Sequence, residues 1–148
     1  MRSPSLVPCV FSSCFVVLLA ACGGAGTSTS NVVRPRAAPE GVLATKLEAC
    51  ARDLDGFRES AAPTVQVTYM RAAGGVLRSE RLDTARRSEG QYTEHVRPLF
   101  TGVAGGGAAP DCGPASCTVT SGSGAVVRYH FNTSTPDVRL DAIALPGE

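Results

Sequence analysis

The pattern of residues after position 39 predicts an α+β fold, with one N-terminal amphipathic helix packed on an antiparallel sheet of about five strands. Across residues 40–60, apolar side chains recur every three or four positions, as on one face of a helix: Leu43, Leu47, Cys50, Leu54 and Phe57. After Pro63, apolar and polar residues alternate in short runs separated by Gly, Pro and Ser, which is typical of half-buried strands. The alternative architecture is a small β-sandwich or barrel with the helix at one end.

The helix is predicted to begin at Glu40 and to end at Ser60, because Pro63 prevents its continuation. Gly56 lies inside it, where glycine costs about 1 kcal/mol relative to alanine and allows a neighbouring segment to approach closely. We expect the apolar stripe to form the core of the domain and not a partner-binding face.

Two hairpins are predicted: residues 65–83 around a turn at 72–75, and residues 117–132 around Gly122-Ser123-Gly124. A final strand covers residues 138–145. Residues 91–100 are ambiguous, and their aromatic and β-branched side chains favour another strand, ending near Pro98. Residues 102–116 are rich in Gly, Pro and Ala and are predicted to form a long surface loop. Gly105-Gly106-Gly107 lacks the Lys and Ser/Thr of a phosphate-binding loop, so we expect no phosphate site there.

The N-terminus has the features of an export signal. Arg2 precedes an apolar run, residues 9–21, which is too short to span about 30 Å of hydrocarbon. The run ends in Leu19-Ala20-Ala21-Cys22, which resembles the lipobox of bacterial lipoproteins. The resemblance implies cleavage before Cys22 and attachment of lipid to its thiol. The alternatives are an uncleaved anchor helix and an ordinary signal that is cleaved near Ala21.

This resemblance implies three regions: a signal peptide at residues 1–21, the lipidated Cys22 with a flexible tether at 22–39, and a single small domain at 40–148. Two or more acyl chains anchor a protein stably to a membrane. We therefore expect a bacterial envelope protein that contacts the membrane through Cys22. Gly23 stands where enterobacterial lipoproteins that stay in the inner membrane commonly have Asp, so by analogy we expect the outer membrane, facing the periplasm.

Three cysteines follow Cys22, and an exported domain meets an oxidising compartment, where a disulfide is expected. Cys112 and Cys117 flank a turn-rich loop and are the favoured pair. The alternative is a bridge from Cys50 to one of them. Cys50 lies on the apolar stripe, where a free cysteine behaves as a small buried hydrophobe.

Charge and composition argue against several classes of function. The chain has 14 Lys and Arg and 13 Asp and Glu, and loss of Arg2 with the signal makes the mature chain neutral, which does not favour nucleic acid as a partner. His95 and His130 are far apart in sequence and lack metal-ligand spacing, so no metal or other cofactor is expected. No nucleophile elbow or paired carboxylate constellation is recognisable, and we expect no enzymatic activity.

The sequence thus favours a non-catalytic envelope lipoprotein that binds a protein or takes part in envelope assembly. One alternative is an inhibitor of a periplasmic or extracellular hydrolase, in which the loop between Cys112 and Cys117 enters a cleft. Another is a carrier of a lipid or other small apolar ligand, held in a pocket between the helix and the sheet.

Overall fold

The computed structural model describes residues 37–39, 41–104 and 109–147. It has a mixed α+β fold with a six-stranded sheet, which confirms the predicted class. Cys22 and the lipobox, the tether up to residue 36, Glu40 and Gly105-Gly106-Gly107 lie outside the described residues. Within the described ranges, no helix is long and apolar enough to cross a membrane.

The predicted N-terminal helix is two helices, α1 from Val42 to Arg52 and α2 from Leu54 to Ser60. Asp53 separates them with an extended backbone, φ −156°. Its carboxylate accepts a hydrogen bond of 2.7 Å from the Gly56 N–H and so caps α2. This bond and a second one from Arg52 hold the pKa of Asp53 below its ordinary value. The prediction of one continuous helix was therefore wrong. The apolar period continues through the break and gave no sign of it.

Gly56 lies where α2 meets α1, as its position in the predicted helix suggested. A Cβ atom there would overlap the Ala49 carbonyl group, lying 2.9 Å from its carbon. Only glycine fits this contact without movement of one helix.

The predicted strand over residues 91–100 is wrong, because this stretch is helical. It forms α3 from Glu89 to Gln91, a π-helical turn from Tyr92 to Val96, a 3₁₀ turn from Arg97 to Phe100 and α4 from Thr101 to Ala104. Ser88 and Gln91 form a capping box at its start, in which each side chain bonds the backbone N–H of the other residue. Tyr92, Val96 and Phe100 are buried at a spacing of four, which is a helical period.

The sheet contains β1 (Ala61–Met70), β2 (Val76–Asp83), β3 (Asp111–Cys112), β4 (Ser116–Thr120), β5 (Val126–Asn132) and β6 (Arg139–Pro146). Their spatial order is β2-β1-β6-β5-β4-β3. The two predicted hairpins are confirmed as β1–β2 and β4–β5. The expected sheet of about five antiparallel strands was wrong in two respects, because there are six strands and β1 is parallel to β6.

One cluster of buried side chains draws on both helical segments and the strands. Its centre is a series of aromatic contacts: Phe57 lies 6.0 Å from Tyr92 and 6.2 Å from Phe100, and Phe100 stacks on Tyr129 at 5.5 Å. The buried hydroxyl groups are satisfied, since Tyr92 donates to the Cys50 carbonyl and Tyr129 to the Leu99 carbonyl. In the described part of the chain, all buried apolar residues lie between positions 43 and 143. These residues form one hydrophobic core among themselves.

Replacement of Gly56 by alanine tests the packing of α1 against α2. Helix propensity alone predicts stabilisation of about 1 kcal/mol. The overlap with Ala49 predicts the opposite sign, a loss of about 1–3 kcal/mol in the free energy of unfolding, measured by urea denaturation. Gly90→Ala is the matched control, because Gly90 is also helical and no atom lies within 4 Å of its Cβ position. Stabilisation by Gly56→Ala comparable to that by Gly90→Ala would contradict the described contact.

Candidate functional site

An apolar groove lies on one side of the sheet, where β1 and β6 end. Its volume is about 560 Å³, and the residues that line it are Tyr69, Leu77, Arg78, Val127, Leu145, Pro146 and Gly147. Each of these described lining residues belongs to a strand, except Gly147, which directly follows β6. None of them belongs to a helix. The volume is within the range of about 300–1,000 Å³ that is usual for ligand-binding pockets.

The floor of the groove continues the apolar face of the core. Side chains two positions apart on a strand share a face, so Tyr69 follows Val67 and Leu145 follows Ile143. Val67 and Ile143 are fully buried, whereas Tyr69 and Leu145 are only partly covered. Tyr69 and Leu145 are direct neighbours in the parallel pair β1–β6. The sheet therefore extends an apolar surface beyond the part that the core covers.

The exposed large hydrophobic residues in the described part of the chain lie at this same end of the sheet. They are Val76, Leu77 and Val126, with 57%, 52% and 47% of their surface exposed. Val126 lines a second, smaller hollow that shares Leu145 and Pro146 with the groove. We call the combined surface the apolar sheet end, and define it by Tyr69, Met70, Val76, Leu77, Val126, Val127, Leu145 and Pro146.

One cationic side chain stands at the rim of the groove. The Arg78 guanidinium carbon lies 3.9 Å from the centre of the Tyr69 ring, and the Tyr69 hydroxyl donates a 3.0 Å hydrogen bond to the Glu80 carboxylate. This cation–π contact orients Arg78 without neutralising it. Neither Arg78 nor Glu80 forms a salt bridge with any other described residue.

The cysteine pair favoured from the sequence is bonded, and the alternative bridge from Cys50 is not formed. Cys112 and Cys117 are joined across paired positions of β3 and β4. Backbone hydrogen bonds tie the enclosed loop to the domain: the Ala38 N–H donates to the Pro114 carbonyl and the Phe131 N–H to the Ala115 carbonyl. Cys50 is free and buried, and burial raises the pKa of its thiol to about 12, so it is protonated at neutral pH.

The polar residues considered from the sequence do not come together. His95 is exposed and its nearest charged partner is Glu94, with 3.7 Å between Nε2 and Oε2. His130 lies on β5 opposite Ala142. Next to it, half-buried Asp141 has a pKa raised by burial, an effect that His130 partly opposes. Over the described ranges, no group of three or more His, Cys, Asp or Glu side chains could hold a metal ion.

The groove was not foreseen from the sequence. Its lining residues up to Leu145 were predicted only as parts of the two hairpins, residues 65–83 and 117–132, and of the final strand, residues 138–145. A signal was present in Val76 and Leu77, two adjacent apolar side chains directly after a Gly-Gly turn at the start of a charged strand. Their exposure became evident only with the order of the strands.

No protein-family model matches this chain, and neither curated proteins nor solved structures provide a significant match.

Removal of the disulfide tests its contribution to stability. The double variant Cys112→Ala/Cys117→Ala is expected to lose about 2 kcal/mol in the free energy of unfolding, because the bond closes a short loop in the unfolded chain. Urea denaturation with and without reductant measures this loss. Reductant should destabilise the unmodified protein by a similar amount and leave the variant unchanged. Equal sensitivity of both proteins to reductant would contradict the assignment.

Proposed function

We propose that this chain is a non-catalytic lipoprotein of the bacterial envelope, whose domain binds another protein through the apolar sheet end. In this proposal the partner covers the end of the sheet at which β1 and β6 finish, with the groove on one face and Val126 on the other. The observation that carries the proposal is the convergence of Val76, Leu77 and Val126 on one end of the sheet, beside the groove.

The physical argument rests on the cost of exposed apolar surface. Each square ångström of apolar surface removed from water contributes about 25 cal/mol. Isolated exposed apolar residues are ordinary, whereas a contiguous patch beside a groove is typical of an interaction site. Arg78 at the rim adds a polar group that can orient a bound partner.

The predicted anchor limits where the partner is found. Ala38 is hydrogen-bonded to the domain, so the predicted tether comprises residues 23–36, and a flexible chain of that length has a reach of roughly 20 Å. Lipid on Cys22 therefore holds the domain close to the membrane surface, and the partner is a protein of the same membrane or its immediate surroundings. An open groove of about 560 Å³ also supports a second candidate, a carrier of a lipid or small apolar ligand.

Replacement of Cys22 by serine tests the anchor. The unmodified protein, expressed in a bacterial host, should sediment with membranes and incorporate labelled palmitate, because the modified thiol carries acyl chains. Cys22→Ser should remain in the signal-bearing precursor form without label. Incorporation of label by the serine variant would contradict the assignment, and Cys14→Ser, which changes a cysteine within the signal, is the matched control.

Partner capture tests the binding surface. Residues 22–148 with Cys22→Ser should capture a saturable partner from an envelope extract, identified by mass spectrometry. Val126→Asp places a charge in the apolar sheet end and should weaken that binding about tenfold or more. Asn132→Asp is the matched control, because it adds the same charge to an exposed position at the other end of β5.

Two outcomes would contradict the proposed site. One is equal capture by Val126→Asp and Asn132→Asp. The other is the absence of any captured protein together with a co-purifying lipid in native mass spectrometry, which favours the carrier.

A further inference from the structure

The two edges of the sheet differ in how they are protected against pairing with another strand. The β3 edge consists of two residues and is held by the Cys112–Cys117 disulfide. The β2 edge has eight residues, and its positions from Val76 to Arg81 are all exposed. Very short edge strands and charged side chains are the usual means of preventing association. The protection of β2 therefore depends on its charged residues, and their order along the strand decides which pairings with another strand are favourable.

The charges on β2 are self-complementary. Arg78 and Glu80 lie on either side of Ser79 and project to the same face, because they are two positions apart. Both contact Tyr69 on the neighbouring strand, which fixes their direction. When two copies of such a strand pair antiparallel about a two-fold axis at Ser79, Arg78 of each copy lies opposite Glu80 of the other.

We propose that β2 is a self-association edge, at which two copies of this chain pair antiparallel about Ser79 and join their sheets into one. A two-fold axis perpendicular to the sheet pairs residues with the same face, so only registers centred on a residue are possible. Centres at Arg78, Glu80 or Arg81 place like charges directly opposite each other on the axis, which is unfavourable. The same charges that prevent these registers favour the one centred on Ser79.

A centre at Asp83 also places like charges on the axis, and a centre at Val76 or Leu77 pairs at most three residues of each β2, because the strand begins at Val76. The apolar residues of β2 distinguish the alternative that is left, a centre at Leu82. A register centred on Leu82 sets Arg81 against Asp83, but it leaves Val76 and Leu77 in solvent. In the Ser79 register, Leu77 lies opposite Arg81 and Val76 lies opposite Leu82 of the second copy, by simple counting from the axis. The most exposed large hydrophobic residues of the described chain are then partly covered. A second copy of this chain is therefore the occupant that both charge and apolar exposure favour.

Charge reversal tests the pairing through the mass in solution, measured by sedimentation equilibrium on residues 22–148 with Cys22→Ser. The protein should form a concentration-dependent dimer. Arg78→Glu and Glu80→Arg should each raise the dimer dissociation constant about tenfold or more, because each creates two like-charge contacts by symmetry. The double variant restores opposite charges and should return the constant to within about threefold of the original. A monomer up to millimolar concentration, or no recovery in the double variant, would overturn the proposal.

A cysteine cross-link tests the axis independently of these charges. Ser79 lies opposite its own copy, with a Cβ separation of about 4.5–5.5 Å, near the range that a disulfide needs. Ser79→Cys should therefore give a covalent dimer on mild oxidation, seen on a non-reducing gel. Arg128→Cys is the matched control: it is exposed on the same face, in the same row through Thr68 and Ala144, but lies on the interior strand β5. Equal cross-linking of the two variants would exclude the proposed axis.

This inference goes beyond the proposed function, and the two can fail separately. Val126 lies on β5, outside the β2 edge, so Val126→Asp should lose partner capture and keep the dimer mass. In the dimer, Val126, Val127 and Leu145 stay open to the partner protein. Glu80→Arg should therefore become monomeric and keep partner capture, because Glu80 does not line the groove. Arg78→Glu also changes the rim of the groove and is left out of this comparison.

Discussion

The aromatic contacts that join Phe57, Tyr92, Phe100 and Tyr129 hold this small domain together. They connect α2, the helical segment after β2 and the central part of β5, three regions that are distant in sequence. Each tyrosine buries its ring and satisfies its hydroxyl with a backbone carbonyl, at Cys50 and at Leu99. Burial without such partners would cost more than the ring contributes, so these two hydrogen bonds specify where the segments meet.

The same core determines where the sheet is left open. It is complete at Val67 on β1 and at Ile143 on β6, yet both strands continue for several residues. The next side chains on that face, Tyr69 and Leu145, remain apolar although they are only partly covered. Apolar surface that stays partly open to water is a cost for an isolated protein, and this cost is the basis for proposing a partner there.

The two sheet edges show how a protein can prevent some contacts and permit others. β3 is only two residues long and is held by a disulfide, so it offers few backbone groups to which another strand could bond. At β2, pairing is restricted by charge instead, and charge discriminates between registers where brevity does not. Arg78 and Glu80 have a second role within one copy, since both contact Tyr69 at the rim of the groove. The edge and the groove are therefore connected through one aromatic side chain.

Much of the local structure followed from the sequence. The period of Leu43, Leu47 and Cys50 indicated a helix, alternation indicated both hairpins, and spacing across a turn indicated the bond from Cys112 to Cys117. Two local errors had signals that were overlooked: Asp53 is a favoured capping residue, and Ser88 with Gln91 is a capping box that precedes a period of four. At Asp53 the continuous apolar period was given more weight than the capping residue, and at residues 91–100 the aromatic and β-branched composition was given more weight than the capping box.

Other features were decided by tertiary structure alone. The parallel pairing of β1 with β6 joins segments from opposite ends of the domain, and no local pattern encodes which strand will be a neighbour. The groove follows from that pairing, because Tyr69 meets Leu145 only when β6 lies beside β1. Residues with the same apolar alternation become core or open surface according to whether distant segments of the chain cover them. By itself the sequence determined the periodic elements, the cysteine pair and the resemblance to a lipoprotein anchor, because these depend on neighbouring residues; strand order and exposure depend on distant ones.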